Sequence, residues 1–98
     1  MHKYYYEAIL QLRPYKKEIL DFVKNQITKR KDVFIAKETI LKTGIDLYIS
    51  SQRFARALGK KLKKSFKGEL KTTRSLFGRN KQTSKNIYRV TVCFRLKQ

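Results

Sequence analysis

Ile87–Leu96 alternates without a break: Tyr88, Val90, Val92, Phe94 and Leu96 project to one side, Arg89, Thr91, Cys93 and Arg95 to the other. A period of two over ten residues specifies a strand with one buried face. Lys3–Arg13 repeats the pattern, with Tyr4, Tyr6, Ala8, Leu10 and Leu12 on one side and Tyr5, Glu7, Ile9, Gln11 and Arg13 on the other. Between these two strands the chain supplies two amphipathic helices to cover the face they share. The first runs from Tyr15 to about Lys29, with Tyr15, Ile19, Phe22, Val23 and Ile27 in its apolar stripe. Pro14 stops the preceding strand and is expected in the first turn of that helix. The second spans Gln52–Lys67, with Phe54, Leu58, Leu62 and Phe66 spaced by four, Ser51 as its cap and Gly68 as its left-handed terminator.

The remaining segments complete the outline. Lys29–Asp32 is a polar turn, and Val33–Leu41 and Ile45–Ser50 read as strands joined near Thr43-Gly44, where glycine supplies a positive φ. A further strand is expected around Leu70–Phe77. Gly78–Asn86 holds no apolar residue and reads as a mobile loop. The expected order is β-α-β-β-α-β-β, an α+β two-layer sandwich with two helices on one face of an antiparallel-rich sheet. At 98 residues, 41 % of them hydrophobic, the chain forms one domain over residues 1–98 with a real core. The single Cys93 leaves no internal disulfide and no cysteine-based zinc site, and it reads as a packing residue. No apolar run approaches the ~20 residues of a membrane span, and no signal-peptide block opens the chain. A cytoplasmic protein is expected, with nuclear shuttling only if the parent is eukaryotic.

Charge is distributed unevenly along this outline. The net charge is +18, and the half from Ser51 onward holds fifteen Lys and Arg residues against one acid, Glu69. The first fifty residues hold ten cations and six acids. Such self-repulsion calls for a polyanionic partner. On the second helix Arg53, Arg56, Lys60, Lys63, Lys64 and Lys67 fall within a sector of roughly 100°, opposite the apolar stripe. A lysine-rich face can be a solvated surface and nothing more. Solvated faces, however, usually mix signs, because like charges one turn apart repel. Six cations without an acid therefore read as a phosphate-binding ridge.

Arg74, Arg79, Lys81 and Lys85 flank the Gly-, Asn-, Gln-, Ser- and Thr-rich segment, whose polar groups suit phosphate and ribose oxygens. A basic hairpin beside a basic helix fits folded RNA better than a duplex groove, and nothing here matches a DNA-reading helix-turn-helix or zinc finger. Tyr5, facing away from the Tyr4/Tyr6 stripe, is the best base-stacking candidate, while most tyrosines are expected at the core margin. The aromatic pattern of RNA-recognition modules and the glycine clamp of KH domains are both missing.

The catalytic signatures sought in the sequence are not found. Glu7, Glu18, Asp21, Asp32, Glu38, Asp46 and Glu69 are scattered without carboxylate-pair or metal spacing, and His2 is the only histidine. No phosphate-loop or dinucleotide glycine motif is present. The expectation is no enzyme, no cofactor, no metal and no small-molecule substrate. Asp46 is expected to hold its hairpin through a salt bridge or hydrogen bond.

Four segments carry a resemblance: Tyr5-Tyr6-Glu7-Ala8-Ile9-Leu10-Gln11-Leu12-Arg13, Gly44-Ile45-Asp46-Leu47-Tyr48, Ala55-Arg56-Ala57-Leu58 and Tyr88-Arg89-Val90-Thr91-Val92. In this order and at these separations they resemble the nonsense-mediated mRNA decay protein 3 family, in a form closer to its archaeal members. The resemblance covers nearly the whole chain. It implies a role in binding the rRNA of the large ribosomal subunit, in biogenesis or quality control, without catalysis. It also implies that the chain is one internal piece of a longer protein. The family's paired Cys-x-x-Cys zinc motifs and its tail of export and import signals have no counterpart here, so zinc and exportin binding do not carry over. The matching positions read as fold-defining. The expected partner is large-subunit rRNA, with ribosomal proteins as further contacts. The alternative is a protein-interaction module that docks ribosomal proteins or assembly factors without touching RNA.

Overall fold

The computed structural model describes residues 6–80 and 85–97, with side chains described except at 77–80 and 85–87. The elements are β1 (Ala8–Arg13), α1 (Lys17–Thr28), β2 (Ile35–Leu41), β3 (Gly44–Ile49), α2 (Gln52–Ser65), β4 (Gly68–Asn80) and β5 (Lys85–Leu96). The order is the expected one, and the architecture is α+β. A five-stranded sheet runs β2-β3-β1-β5-β4, with every neighbouring pair antiparallel except β1 and β5.

Alternation decides which face is covered. Ala8, Leu10 and Leu12 on β1, Ile45, Leu47 and Ile49 on β3, and Val90, Val92 and Phe94 on β5 are all essentially unexposed. They meet Ile19, Val23 and Ile27 of α1 and Phe54, Ala55, Leu58 and Leu62 of α2 in one cluster. Each large apolar side chain so buried stabilises the fold by about 1.5–3 kcal/mol. Phe22 of α1 meets Phe66 edge to face, with ring centroids 5.6 Å apart, and Lys61 Nζ donates to Gln26 Oε1 at 3.2 Å, so the two helices are tied together. Lys24 reaches Glu38 on β2 at 3.3 Å, placing α1 toward the β2–β3 side. α2 packs on β1, β5 and β4.

Several expectations are corrected. Gly78–Asn86 is not a loop through most of its length: Gly78 pairs with Ile87, Arg79 with Asn86 and Asn80 with Lys85. Ladder hydrogen bonds come from the backbone, so the arms extend through residues that have no apolar pattern to announce them. Whatever loop remains lies at 81–84, outside the described residues. β1 accompanies β5 only from Val90 onward, so the β4–β5 hairpin projects past the sheet as an arm. The six residues Ser75–Asn80 correspond to about 20 Å of extended chain, and the molecule is 46 Å long against 25 Å in its other dimensions.

Gly68 is not a left-handed helix terminator. α2 ends at Ser65, Phe66 is already extended, and Gly68 opens β4 opposite Leu96. A Cβ there would lie 2.6 Å from both the Arg95 carbonyl oxygen and the Phe94 ring, which is why only glycine fits. Gly44, by contrast, takes the positive φ expected of it, 159°, and a Cβ there would also run into the Leu12 carbonyl oxygen and the Arg13 side chain. Pro14 lies before α1 rather than in its first turn, since Lys16 is the residue that precedes the helix.

Candidate nucleic-acid interface

The two ends of the sheet differ in charge because the two helices differ. α1 carries Glu18 and Asp21 among its lysines, and the neighbouring turn and β2 add Asp32 and Glu38. Arg30 holds Asp32 through a side-chain hydrogen bond at 3.2 Å, which keeps that carboxyl below the usual range, aided by a backbone hydrogen bond. On the α2 side the pattern changes. Arg53, Arg56, Lys60, Lys63 and Lys64 are all exposed along the outward face of α2, opposite buried Phe54, Leu58 and Leu62. Arg30 and Asp32 also reach the start of α2, where they line one pocket with Ser51, Arg53 and Phe54.

Lys67 was expected on the same ridge. It is exposed but lies past the end of α2, in the link to β4, where its carbonyl accepts from the Lys97 amide at 2.9 Å. Arg74 sits on β4 opposite Val90, hence on the helix-side face, at the end of the sheet where α2 begins. Its guanidinium lies over the Tyr88 ring, 4.6 Å from the centroid. Arg79 and Lys85 lie in the arm, paired with Asn86 and Asn80, and their side chains are outside the description. Lys81 and Tyr5 fall outside the described residues altogether. Of the ten cations expected to act together, six are therefore seen on or beside the α2 face: Arg53, Arg56, Lys60, Lys63, Lys64 and Arg74, with Lys67 just beyond it.

α2 is fixed by its N-terminus. Ser51 Oγ accepts from the Phe54 amide at 3.2 Å, as the sequence led one to expect, and Glu7 Oε1 accepts from the Gln52 amide at 2.9 Å. Satisfying two of the first-turn donors pins the helix to β1. Arg56 Nη2 donates to Gln52 Oε1 at 3.3 Å, and Gln52 Nε2 reaches the Tyr88 carbonyl at 3.5 Å, so the ridge is linked to the base of the arm. Among the described residues, no three of His, Cys, Asp and Glu come together as a metal would require.

The opposite face of the sheet, which no helix among the described residues covers, holds a cluster that the alternation misplaced. Tyr6 was expected beside Ala8 in the covered stripe. Its ring instead meets Tyr48 edge to face at 4.9 Å and lies 3.9 Å from the Arg89 guanidinium carbon, and both partners belong to the uncovered face. Arg89 Nε also donates to the Tyr6 carbonyl at 3.2 Å. The chain bends at Glu7, before β1 begins, and that bend breaks the period of two. Lys37 stands over Tyr48 at 5.6 Å. Further along this face Arg13 Nη2 donates to Asp46 Oδ1 at 2.7 Å with both side chains 13 % exposed; the salt bridge expected of Asp46 is formed, but it joins β3 to β1 instead of holding the β2–β3 hairpin. Arg13 Nη1 adds a contact to the Ile45 carbonyl at 3.3 Å.

These contacts join the four segments that carry the resemblance: Glu7 caps α2, Arg13 binds Asp46, Tyr6 meets Tyr48 and Arg89, and Ala55 and Leu58 fill the core. A small, strongly cationic α+β domain with both helices on one face of a five-stranded sheet, and a run of cations along the second helix, is the class the fold defines. A family model described as NMD3, second domain, matches residues 5–96, and the chain belongs to that family. No curated protein matches the chain. The family is associated with the large ribosomal subunit and its export, as an adaptor and not as an enzyme family. No helix among the described residues is long and apolar enough to cross a membrane.

Proposed function

We propose that this domain binds the RNA of the large ribosomal subunit through the outward face of α2 and the base of the β4–β5 arm. One observation carries the reading: the exposed cations Arg53, Arg56, Lys60, Lys63 and Lys64 share a helix face with no acid among them, whereas the α1 side mixes signs. Five like charges at one-turn spacing repel by a few tenths of a kcal/mol per pair, and phosphates remove that repulsion while releasing condensed counterions. Arg74 extends the same surface toward the arm and Lys67 toward the end of the helix, and Arg79, Lys81 and Lys85 are proposed from the sequence as further phosphate contacts. Binding positions the domain on the subunit and involves no catalysis, metal or cofactor, and the cytoplasm is the expected setting.

The test is cosedimentation with protein-stripped large-subunit rRNA across a salt series. Affinity that falls by roughly 0.7–0.9 log units per tenfold salt for each phosphate contacted supports the reading. Binding to intact subunits that vanishes on stripped rRNA contradicts it, and would mean that the ridge docks ribosomal proteins or assembly factors instead.

A further inference from the structure

The α2 ridge recognises phosphate, a group every nucleotide shares, yet the arm beside it carries chemistry that phosphate does not use. Leu76 and Tyr88 face each other directly across the β4–β5 ladder, and Arg74 is the diagonal neighbour of Tyr88 on the same face. Leu76 is 61 % exposed, a large apolar side chain that nothing among the described residues covers. Arg74 is also exposed, with its guanidinium laid over the Tyr88 ring at 4.6 Å. The nearest acid along its strand is Glu69, five residues toward the other end of β4, about 17 Å away in extended chain.

We infer that Arg74, Tyr88 and Leu76 form a stacking site for an unpaired RNA base. This rests on the RNA reading above and narrows it from RNA in general to RNA with a bulged or looped nucleotide at this point. The tyrosine ring holds the guanidinium carbon 4.6 Å from its centroid, and an exposed guanidinium offers a flat, weakly hydrated cationic surface of the kind on which bases stack. The exposed Leu76 supplies the apolar edge of the platform. The hydrogen-bonded path from Tyr88 through Gln52 to Arg56 places the first phosphate-binding residues of α2 beside it. A nucleotide lifted out of a helix thus finds a stacking plane and a cation for its phosphate at one place. A fully paired stem has its bases sequestered and can use the cations alone.

The experiment uses one RNA stem prepared in two forms, fully paired and with a short purine bulge containing 2-aminopurine. Affinities are read by anisotropy and stacking by 2-aminopurine fluorescence. The wild-type chain is expected to bind the bulged stem about tenfold more tightly, about 1.4 kcal/mol, and to quench the probe. Arg74→Lys keeps the charge and removes the plane, so it should erase the quenching and lower affinity for the bulged stem by more than affinity for the paired stem. Leu76→Ser should reduce the preference without touching the salt dependence, and circular-dichroism melts show that both variants are folded. Equal affinity for the two stems without quenching overturns the stacking site and leaves phosphate binding standing. Equal losses on both stems for Arg74→Lys also overturn it. Failure to bind either stem removes both proposals.

Discussion

Reversing three charges on α2 separates binding from folding more cleanly than any other change. Arg56, Lys60 and Lys63 are exposed on the ridge, and the contact drawn from their side chains is that of Arg56 to Gln52 at 3.3 Å. In Arg56→Glu, Lys60→Glu, Lys63→Glu two repulsive pairs become attractive, Arg53 with position 56 and position 60 with Lys64, gaining a few tenths of a kcal/mol each. Position 63 lies in the last turn, where a negative charge opposes the helix dipole by about 0.3–1 kcal/mol. These effects nearly cancel, so the unfolding free energy should change by less than about 0.5 kcal/mol. Binding behaves differently. Each lost phosphate contact removes about 0.7–0.9 from the slope of log K against log salt. Three contacts remove about 2–2.7, which at physiological salt is on the order of a hundredfold in affinity before any repulsion is added. Filter retention of labelled rRNA across a salt series reads both numbers, and urea denaturation reads the stability. An unchanged salt slope in a folded triple variant would refute the reasoning and reduce the ridge to a solvated face.

Other expectations concern what holds the interface in place. Asp46→Ala strands the Arg13 guanidinium at a site where both side chains are 13 % exposed; a loss of about 2–4 kcal/mol is expected by urea titration, toward the range for breaking a buried pair, and a change under 1 kcal/mol would mean water rescues the arginine. Gly59→Ala should destabilise despite alanine's better helix propensity, because the new Cβ falls 2.8 Å from Val92 Cγ1 and 3.0 Å from Leu70 Cδ1. Overpacking of this kind costs about 1–3 kcal/mol against a propensity gain of about 1. Ser51→Ala removes the acceptor of the Phe54 amide and should cost about 0.5–2 kcal/mol, with a thermal melt as the readout.

The two layers were legible in the sequence wherever one side of an element meets the core. Leu10 and Leu12, the Phe54–Leu58–Leu62 stripe and Val90–Val92–Phe94 all announce themselves by period, and all are buried. Ser51 was also legible, because a helix cap is local chemistry; Asp46 was legible as an acid in need of a partner, but that partner, Arg13, is 33 residues away. What escaped depends on partners distant in the chain. Gly68 looks like a helix terminator until Phe94 and Arg95 close over it from the neighbouring strand. The arms at Gly78–Asn80 and Lys85–Asn86 look like loop because backbone pairing leaves no mark on side-chain pattern. Tyr6 obeys the alternation only if the strand begins before it, and the bend at Glu7 cannot be read from residue types. The strand order and the parallel pairing of β1 with β5 likewise have no local signal. For the interface, the ridge was legible as an angle on a helix. The contact of Arg74 with Tyr88 was not, since it needs the register of the hairpin.

Lysine protection provides the most direct measurement, because the chain carries its own control. Acetylation rates read by mass spectrometry, with and without bound large-subunit rRNA, compare Lys60, Lys63 and Lys64 on α2 with Lys17, Lys29 and Lys31 on or near α1, all six exposed in the free domain. Protection concentrated on the α2 lysines, with the α1 group reacting as before, is the predicted result. Equal protection of both groups, or protection of the α1 group alone, would contradict the account.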